Sequence, residues 1–107
     1  MLFGNLFPQD TAKKYNCTIV LKGVSTEVAD SKDVTSVTGG NAGMTKGGTG
    51  DVQAGLTVAL LAKNEPFLAA SSAAYLVKAA ADELYKKVGV NYNADDLADE
   101  ISVVISA

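Results

Sequence analysis

The sequence predicts an α/β fold, and three observations carry that expectation. Cys17-Thr18-Ile19-Val20-Leu21 is a continuous β-branched and apolar run, of the kind found in a strand buried on both faces. Six of the ten glycines (Gly39, Gly40, Gly43, Gly47, Gly48 and Gly50) crowd into a single loop. Beyond that loop the apolar period becomes helical.

Before the 17–21 strand, Asp10 to Tyr15 reads as the end of a short helix. After it come two weaker extended runs, Ser25 to Ala29 and Val34 to Thr38. Turn-like Asp30-Ser31-Lys32-Asp33 joins them, so a β-hairpin is expected. Asp51 to Lys63 is apolar on nearly every side, with Val52, Ala54, Leu56, Val58, Leu60 and Leu61, which predicts a buried helix. The next helix has Pro66 near its first position and Asn64 as candidate cap. Phe67, Ala70, Ala74, Val77, Ala81 and Leu84 form its core-facing stripe. Asp82 with Lys86 and Glu83 with Lys87 are i,i+4 pairs on its outer face, worth a few tenths of a kcal/mol each. Gly89 ends it. Asn93 then caps a third helix whose Leu97, Ala98 and Ile101 face inward. Asp95 and Asp96 sit in its first turn, where the helix dipole favours negative charge, so the acidic run 95–100 reads as capping and a solvated face rather than a metal site.

One domain accommodates all 107 residues. With 48% hydrophobic and 20% charged residues the composition is ordinary for a globular chain. Nine basic against twelve acidic side chains give a net charge of −3, which removes the electrostatic case for a nucleic-acid partner. All nine basic residues are lysines and there is no His. Imidazole general bases, Ser-His and Cys-His pairs and bidentate guanidinium clamps are thereby excluded. Cys17 is the only cysteine, so an internal disulfide and a thiolate metal cage are excluded too, and a buried role as a small hydrophobe is expected. Met1 to Phe7 is apolar but lacks a positive flank, unlike a signal peptide. No run reaches the ~20 apolar residues that span a bilayer, so no membrane partner and a cytoplasmic location are expected.

A strand apolar on both faces needs neighbouring strands and helix layers. One such strand, a hairpin and three helices do not supply them. The expectation is a partial domain, completed by a missing N-terminal portion or by other copies as a homo-oligomer.

The glycine loop, Gly39 to Asp51, runs from a strand end into a helix. Free backbone N–H groups and the positive helix end can hold a phosphate there, where glycine lets the backbone come close. The spacing is neither a Walker A nor a Rossmann fingerprint. Asp51 at the helix start has two readings. It is an N-terminal cap, or a general base that takes a proton from a substrate hydroxyl while the N–H groups of Thr49, Gly50 and Asp51 stabilise a transferring phosphoryl group.

Asn41-Ala42-Gly43-Met44-Thr45-Lys46-Gly47-Gly48-Thr49-Gly50-Asp51-Val52, followed by Ala54-Gly55-Leu56, resembles the signature of the ADP/ATP-dependent (S)-NAD(P)H-hydrate dehydratases of the ribokinase-like superfamily. Lys22-Gly23-Val24-Ser25-Thr26 is similar to that family's Lys-Gly strand-end segment, and the alanine-rich helix with Ala73-Ala74-Tyr75 also fits. The resemblance runs from about residue 12 to about residue 100. It implies the C-terminal part of a three-layer α/β/α domain. The implied activity repairs hydrated NADH and NADPH: ADP or ATP phosphorylates the added hydroxyl, and phosphate leaves as the double bond forms. Asp51 would be the catalytic base. Gly47, Gly48, Thr49 and Gly50 would form the anion hole, and Lys22, Gly23, Val24, Ser25 and Thr26 would border the nucleotide. The implied partners are NAD(P)H hydrate and an adenine nucleotide, with Mg²⁺ expected as the phosphoryl-transfer ion and no protein metal site. Gln53 departs from the apolar residue usual in the family, and both chain ends look unlike it. A small-molecule kinase of the same superfamily, or a non-catalytic nucleotide-binding or structural fragment, are the alternatives.

Overall fold

The computed structural model describes residues 8–106. The readings made on Met1 to Phe7, and Ala107, lie outside the described residues. Helix α1 spans Pro8–Tyr15. Asn16 turns into the left-handed region with φ 50°, and the Cys17 N–H donates to the Ala12 carbonyl at 3.1 Å. This closes the helix end, and it corrects the expectation for Cys17, which is exposed rather than buried because it belongs to that turn.

Three antiparallel strands follow in the order β1 (Ile19–Leu21), β2 (Thr26–Ala29), β3 (Val34–Val37). Val20 pairs with Val28, and Val28 with Thr35. The expected hairpin is β2–β3. Its turn is held by the Asp30 carboxylate, which accepts the N–H of Lys32 at 2.8 Å and of Asp33 at 2.6 Å. These backbone donors keep the Asp30 carboxyl below its usual range.

The buried strand is β2, not the 17–21 run. Thr26, Val28 and Ala29 are buried, whereas β1 is an edge strand with Val20 38% and Leu21 45% exposed. An apolar run specifies what a strand can bury, not where in the sheet it lies.

Helix α2 (Thr49–Leu61), α3 (Pro66–Val88) and α4 (Ala94–Ser106) complete the fold, with a 3-10 turn at Ala42–Thr45 inside the glycine loop. Here α3 is the strut: it packs against α2, α4, β2 and β3. Its alanine stripe is buried as expected, and Val77, Ala81 and Leu84 build the core with Tyr92, Leu97 and Ile101. Met44, Val52, Leu56 and Val104 lie against that core.

Several local expectations need correction. The all-round apolar α2 packs on one face, and Val58 on the other is 67% exposed, with no element among the described residues covering it. Glu65, not Asn64, caps α3, accepting the N–H groups of Phe67 and Leu68 at 3.1 and 2.7 Å. Asn64 instead donates to the Leu60 carbonyl at the end of α2. Lys86 pairs with Glu83 at 2.7 Å, and Lys87 with Glu100 of α4 at 3.2 Å, rather than at i,i+4. Glu100 is buried where Ala98 was expected, because Lys87 draws it against α3. Gly89, φ 63°, ends α3 as expected. Asn93 caps α4 reciprocally with Asp96: each accepts the other's backbone N–H, at 2.9 and 3.0 Å.

Candidate functional site

The glycine loop is anchored on one turn of α3. Asn41 is its hub. The Asn41 side chain accepts the Gly43 N–H at 3.0 Å and the Tyr92 hydroxyl at 2.8 Å. Its amide donates to the Ala81 carbonyl at 2.9 Å and to Asp82 at 3.3 Å. Asp82 also accepts the Gly40 N–H at 3.1 Å, which is why this carboxylate is not on the outer face. Lys46 reaches the Val90 carbonyl and donates to the Tyr92 carbonyl at 2.7 Å, with its ammonium 5.2 Å from the Tyr92 ring centre. Lys46 thus ties the loop to the α3–α4 connection, and its donors point there rather than to an anion.

Two glycines in the loop answer to geometry. Gly43 has the Tyr92 ring where a Cβ would stand, at 2.5–2.7 Å. Gly43→Ala must push a rigid, buried ring out of the core, and is expected to lower stability by about 2 kcal/mol, or Tm by about 10 °C, read by thermal denaturation. Gly48 has φ 90° and ends the loop in the left-handed region, so that the helix can start at Thr49.

Tyr92 itself gives a pH signature. Burial pushes its phenol above the ordinary value, outweighing the Asn41 hydrogen bond, and the Asp82 charge adds to the rise. The folded chain therefore holds this proton more tightly than the unfolded one. Its contribution to stability is complete below about pH 10 and is lost as pH rises through the folded value. A tyrosinate absorbance titration is expected to show a step above the ordinary phenol range, and that step should vanish in Tyr92→Phe.

Helix α2 begins without a side-chain cap. The Thr49 N–H is taken by the Lys46 carbonyl at 3.4 Å, and its hydroxyl lies 2.5 Å from the Met44 carbonyl and 2.8 Å from that of Lys46. Among the described residues no side chain accepts from the Gly50 or Asp51 N–H groups at this start. Asp51 does not cap the helix. It is exposed, in the first turn, and makes no side-chain hydrogen bond among the described residues. Of its two readings, the capping one is not realised.

Lys22 comes to this helix end. A Cβ built on Gly50 would meet the Lys22 Nζ at 2.7 Å. Gly50 has no positive φ, so the approach of Lys22, rather than an unusual backbone, is what a side chain there would disturb. An ammonium beside an uncapped helix N-terminus brings two positive ends together, an arrangement that an anion stabilises. Gly47 has nothing within 4 Å of its would-be Cβ and faces open space.

A cavity of about 600 Å³ opens beside this point. Lys22, Gly23, Val24 and Thr26 form one wall, Gly39 to Ala42 with Met44 and Thr45 the other, and Thr49, Gln53 and Lys78 the floor. Of the residues expected at the site, Lys22, Gly23, Val24, Thr26 and Thr49 line it. Ser25, Gly47, Gly48, Gly50 and Asp51 do not. At 100° per residue, Asp51 lies about 200° round α2 from Thr49, with Gly50 between them. The cavity and the Asp51 carboxylate therefore occupy different sides of one helix end, and Gly50 with Lys22 is where the two sides meet.

Sequence reasoning missed Gln53 and Lys78. Gln53, expected as a mild misfit on an apolar helix, is buried at the cavity floor. Lys78 interrupts the alanine stripe of α3 and is buried there as well, and a charge within a core-facing helix was the available signal. Among the described residues no group of three or more His, Cys, Asp or Glu could hold a metal ion, and no helix is long and apolar enough to cross a membrane.

A carbohydrate-kinase-type family model described as NAD(P)H-hydrate dehydratase matches residues 7–103. The bifunctional NAD(P)H-hydrate repair enzyme Nnr of Archaeoglobus fulgidus is 41% identical over 104 residues, which are 97% of this chain and 22% of that protein. The ADP-dependent (S)-NAD(P)H-hydrate dehydratase of Nitrosopumilus maritimus is 37% identical over 99 residues, 91% of this chain and 34% of that protein. Among solved structures, the ADP/ATP-dependent NAD(P)H-hydrate dehydratase of Bacillus subtilis, co-crystallized with ATP/Mg²⁺, superposes with a TM-score of 0.83 at 31% identity. That superposition covers 92% of this chain and 37% of the other. The chain spans about a fifth to a third of the length of these curated relatives.

Proposed function

The chain belongs to the NAD(P)H-hydrate dehydratase family, and on that premise we propose that it carries the nucleotide cavity and the catalytic base of a nucleotide-dependent NAD(P)H-hydrate repair reaction. The observation that carries this reading is the Lys22 ammonium over Gly50, at an uncapped helix start flanked by a cavity on one side and the free Asp51 carboxylate on the other.

The nucleotide occupies the cavity, with its phosphates toward Lys22 and the Gly50 and Asp51 N–H groups. Lys22 serves as a point charge, and the N–H groups hold charge that develops on the transferring phosphoryl group. The hydrate lies on the Asp51 side with its added hydroxyl directed at the carboxylate. Asp51 accepts the hydroxyl proton as the oxygen attacks phosphorus and the terminal phosphate bond of ADP or ATP breaks, leaving AMP or ADP. The phosphorylated carbon then loses phosphate. A proton leaves the neighbouring carbon, the double bond forms, and NADH or NADPH is restored. Placing donor and acceptor on opposite sides of Gly50 makes that residue the crossing point.

Mg²⁺ fits only as a companion of the nucleotide. No group of three or more His, Cys, Asp or Glu among the described residues could hold it, so phosphate oxygens and water would make up its shell. When bound, the ion neutralises phosphate charge; the protein's own residues bind, orient and accept the proton. The reading places the protein in the cytoplasm, with NAD(P)H hydrate and an adenine nucleotide as its partners.

The test is recovery of NADPH absorbance from hydrated NADPH on addition of ADP or ATP with Mg²⁺ to the chain. Nucleotide-dependent recovery is expected. A folded chain that binds nucleotide without any recovery would support a binding module instead, and phosphorylation of a sugar or vitamin alcohol would support the kinase alternative.

A further inference from the structure

We infer that Lys78 is a positioning residue for the nucleotide cavity, its one ammonium fixing how far the Lys22–Thr26 segment stands from the glycine turn at Gly39. This rests on the reading of the cavity as the nucleotide pocket. Lys78 lies in the middle of α3 and is 5% exposed. Its Nζ donates to the Val24 carbonyl at 3.0 Å and to the Gly39 carbonyl at 3.3 Å, one on each wall. The ion pairs among the described residues are Lys86–Glu83 and Lys87–Glu100, so Lys78 has no carboxylate within 4.0 Å. Asp82, one turn on, is directed to Gly40 and Asn41 instead.

A buried cation without a paired carboxylate is costly, and the core-facing positions around Lys78 are Ala74, Val77 and Ala81, where an apolar side chain would pack at no such cost. Packing therefore does not explain a lysine here. The carbonyls do. The Val24 side chain is almost wholly exposed, so the 22–25 connection is not held by its own apolar contacts. Lys78 supplies a tie from the rigid helix to that connection, and the same ammonium ties the opposite wall. Asp82 holds the next residue of that wall from the following turn. Two segments distant in sequence are thus spaced by a single side chain of α3.

Lys78→Met, which keeps much of the stem and removes the donors, tests this by hydrogen exchange of the unliganded full chain. Exchange is expected to rise about tenfold or more in residues 22–26 and 39–41, with the core around Leu84 and Leu97 unchanged. ADP binding, followed by calorimetry, is expected to weaken about tenfold to a hundredfold. Lys78→Gln retains amide donors on a shorter stem and should fall between, and it carries the test if Lys78→Met does not fold. Unchanged exchange in the two segments overturns the inference. So does a uniform rise that includes the α3–α4 core, which would make Lys78 a residue of general stability. If the unaltered chain does not bind ADP, the nucleotide reading fails, while the exchange pattern still decides whether Lys78 spaces the walls.

Discussion

Asp51→Asn is expected to lower NAD(P)H-hydrate dehydration by about 10²- to 10⁴-fold, the range a positioned general base contributes, while ADP affinity changes by no more than about threefold. The reason is the placement of the side chain. Asp51 is exposed, takes no part in capping α2, and does not line the cavity that would hold the nucleotide. Removing its charge removes a proton acceptor and leaves the nucleotide's surroundings as they were. Steady-state turnover and calorimetric titration on the same preparation separate the two. A parallel loss of binding and turnover would make Asp51 a nucleotide contact, and unchanged turnover would remove it from the chemistry.

Gly50→Val is expected to damage both nucleotide binding and turnover. A branched side chain at this position displaces the Lys22 ammonium, which stands 2.7 Å from where the Cβ would be. It also crowds the N–H groups at the helix start. Losing a charge-assisted contact costs about 1.5–3 kcal/mol, so ADP binding should weaken about tenfold to a hundredfold. Stability should barely change, because Gly50 has no positive φ and the neighbour to be moved is the flexible end of a lysine. That pairing of lost binding with an unaltered melting temperature distinguishes a ligand site from a packing requirement. Gly43→Ala should show the opposite pattern, since what it meets is the buried Tyr92 ring.

How much of this was legible in the sequence depended on whether a signal was local. The hairpin, the alanine stripe of α3, the Gly89 stop and the Asn93 cap follow from neighbours within a few residues, and each appears where the pattern places it. The partners of Asp82, Lys87 and Glu100 were not legible, because they are chosen by packing between elements. Asp82 turned to a loop 42 residues away in sequence, and Lys87 to the next helix. Likewise the 17–21 run showed that a strand could be buried, but its position at a sheet edge is a matter of topology. At the site, the glycine loop and Lys22 were visible as composition and motif. That the two meet at Gly50, and that Asp51 lies round the helix from the cavity, required the fold. The burial of Lys78 had a signal, a charge within a core-facing helix, but its role did not, because its acceptors are backbone carbonyls, which leave no mark in a sequence.

The central claim is that the helix start at Gly50 and the ammonium of Lys22 form an anion site for a nucleotide. Calorimetric titration of ADP with Mg²⁺ into the folded chain, beside Lys22→Met, tests it most directly. Saturable binding of one ADP per chain, weakened about tenfold or more in Lys22→Met, is the expected result. A folded chain that takes up no ADP, or one whose affinity is indifferent to Lys22, would contradict it.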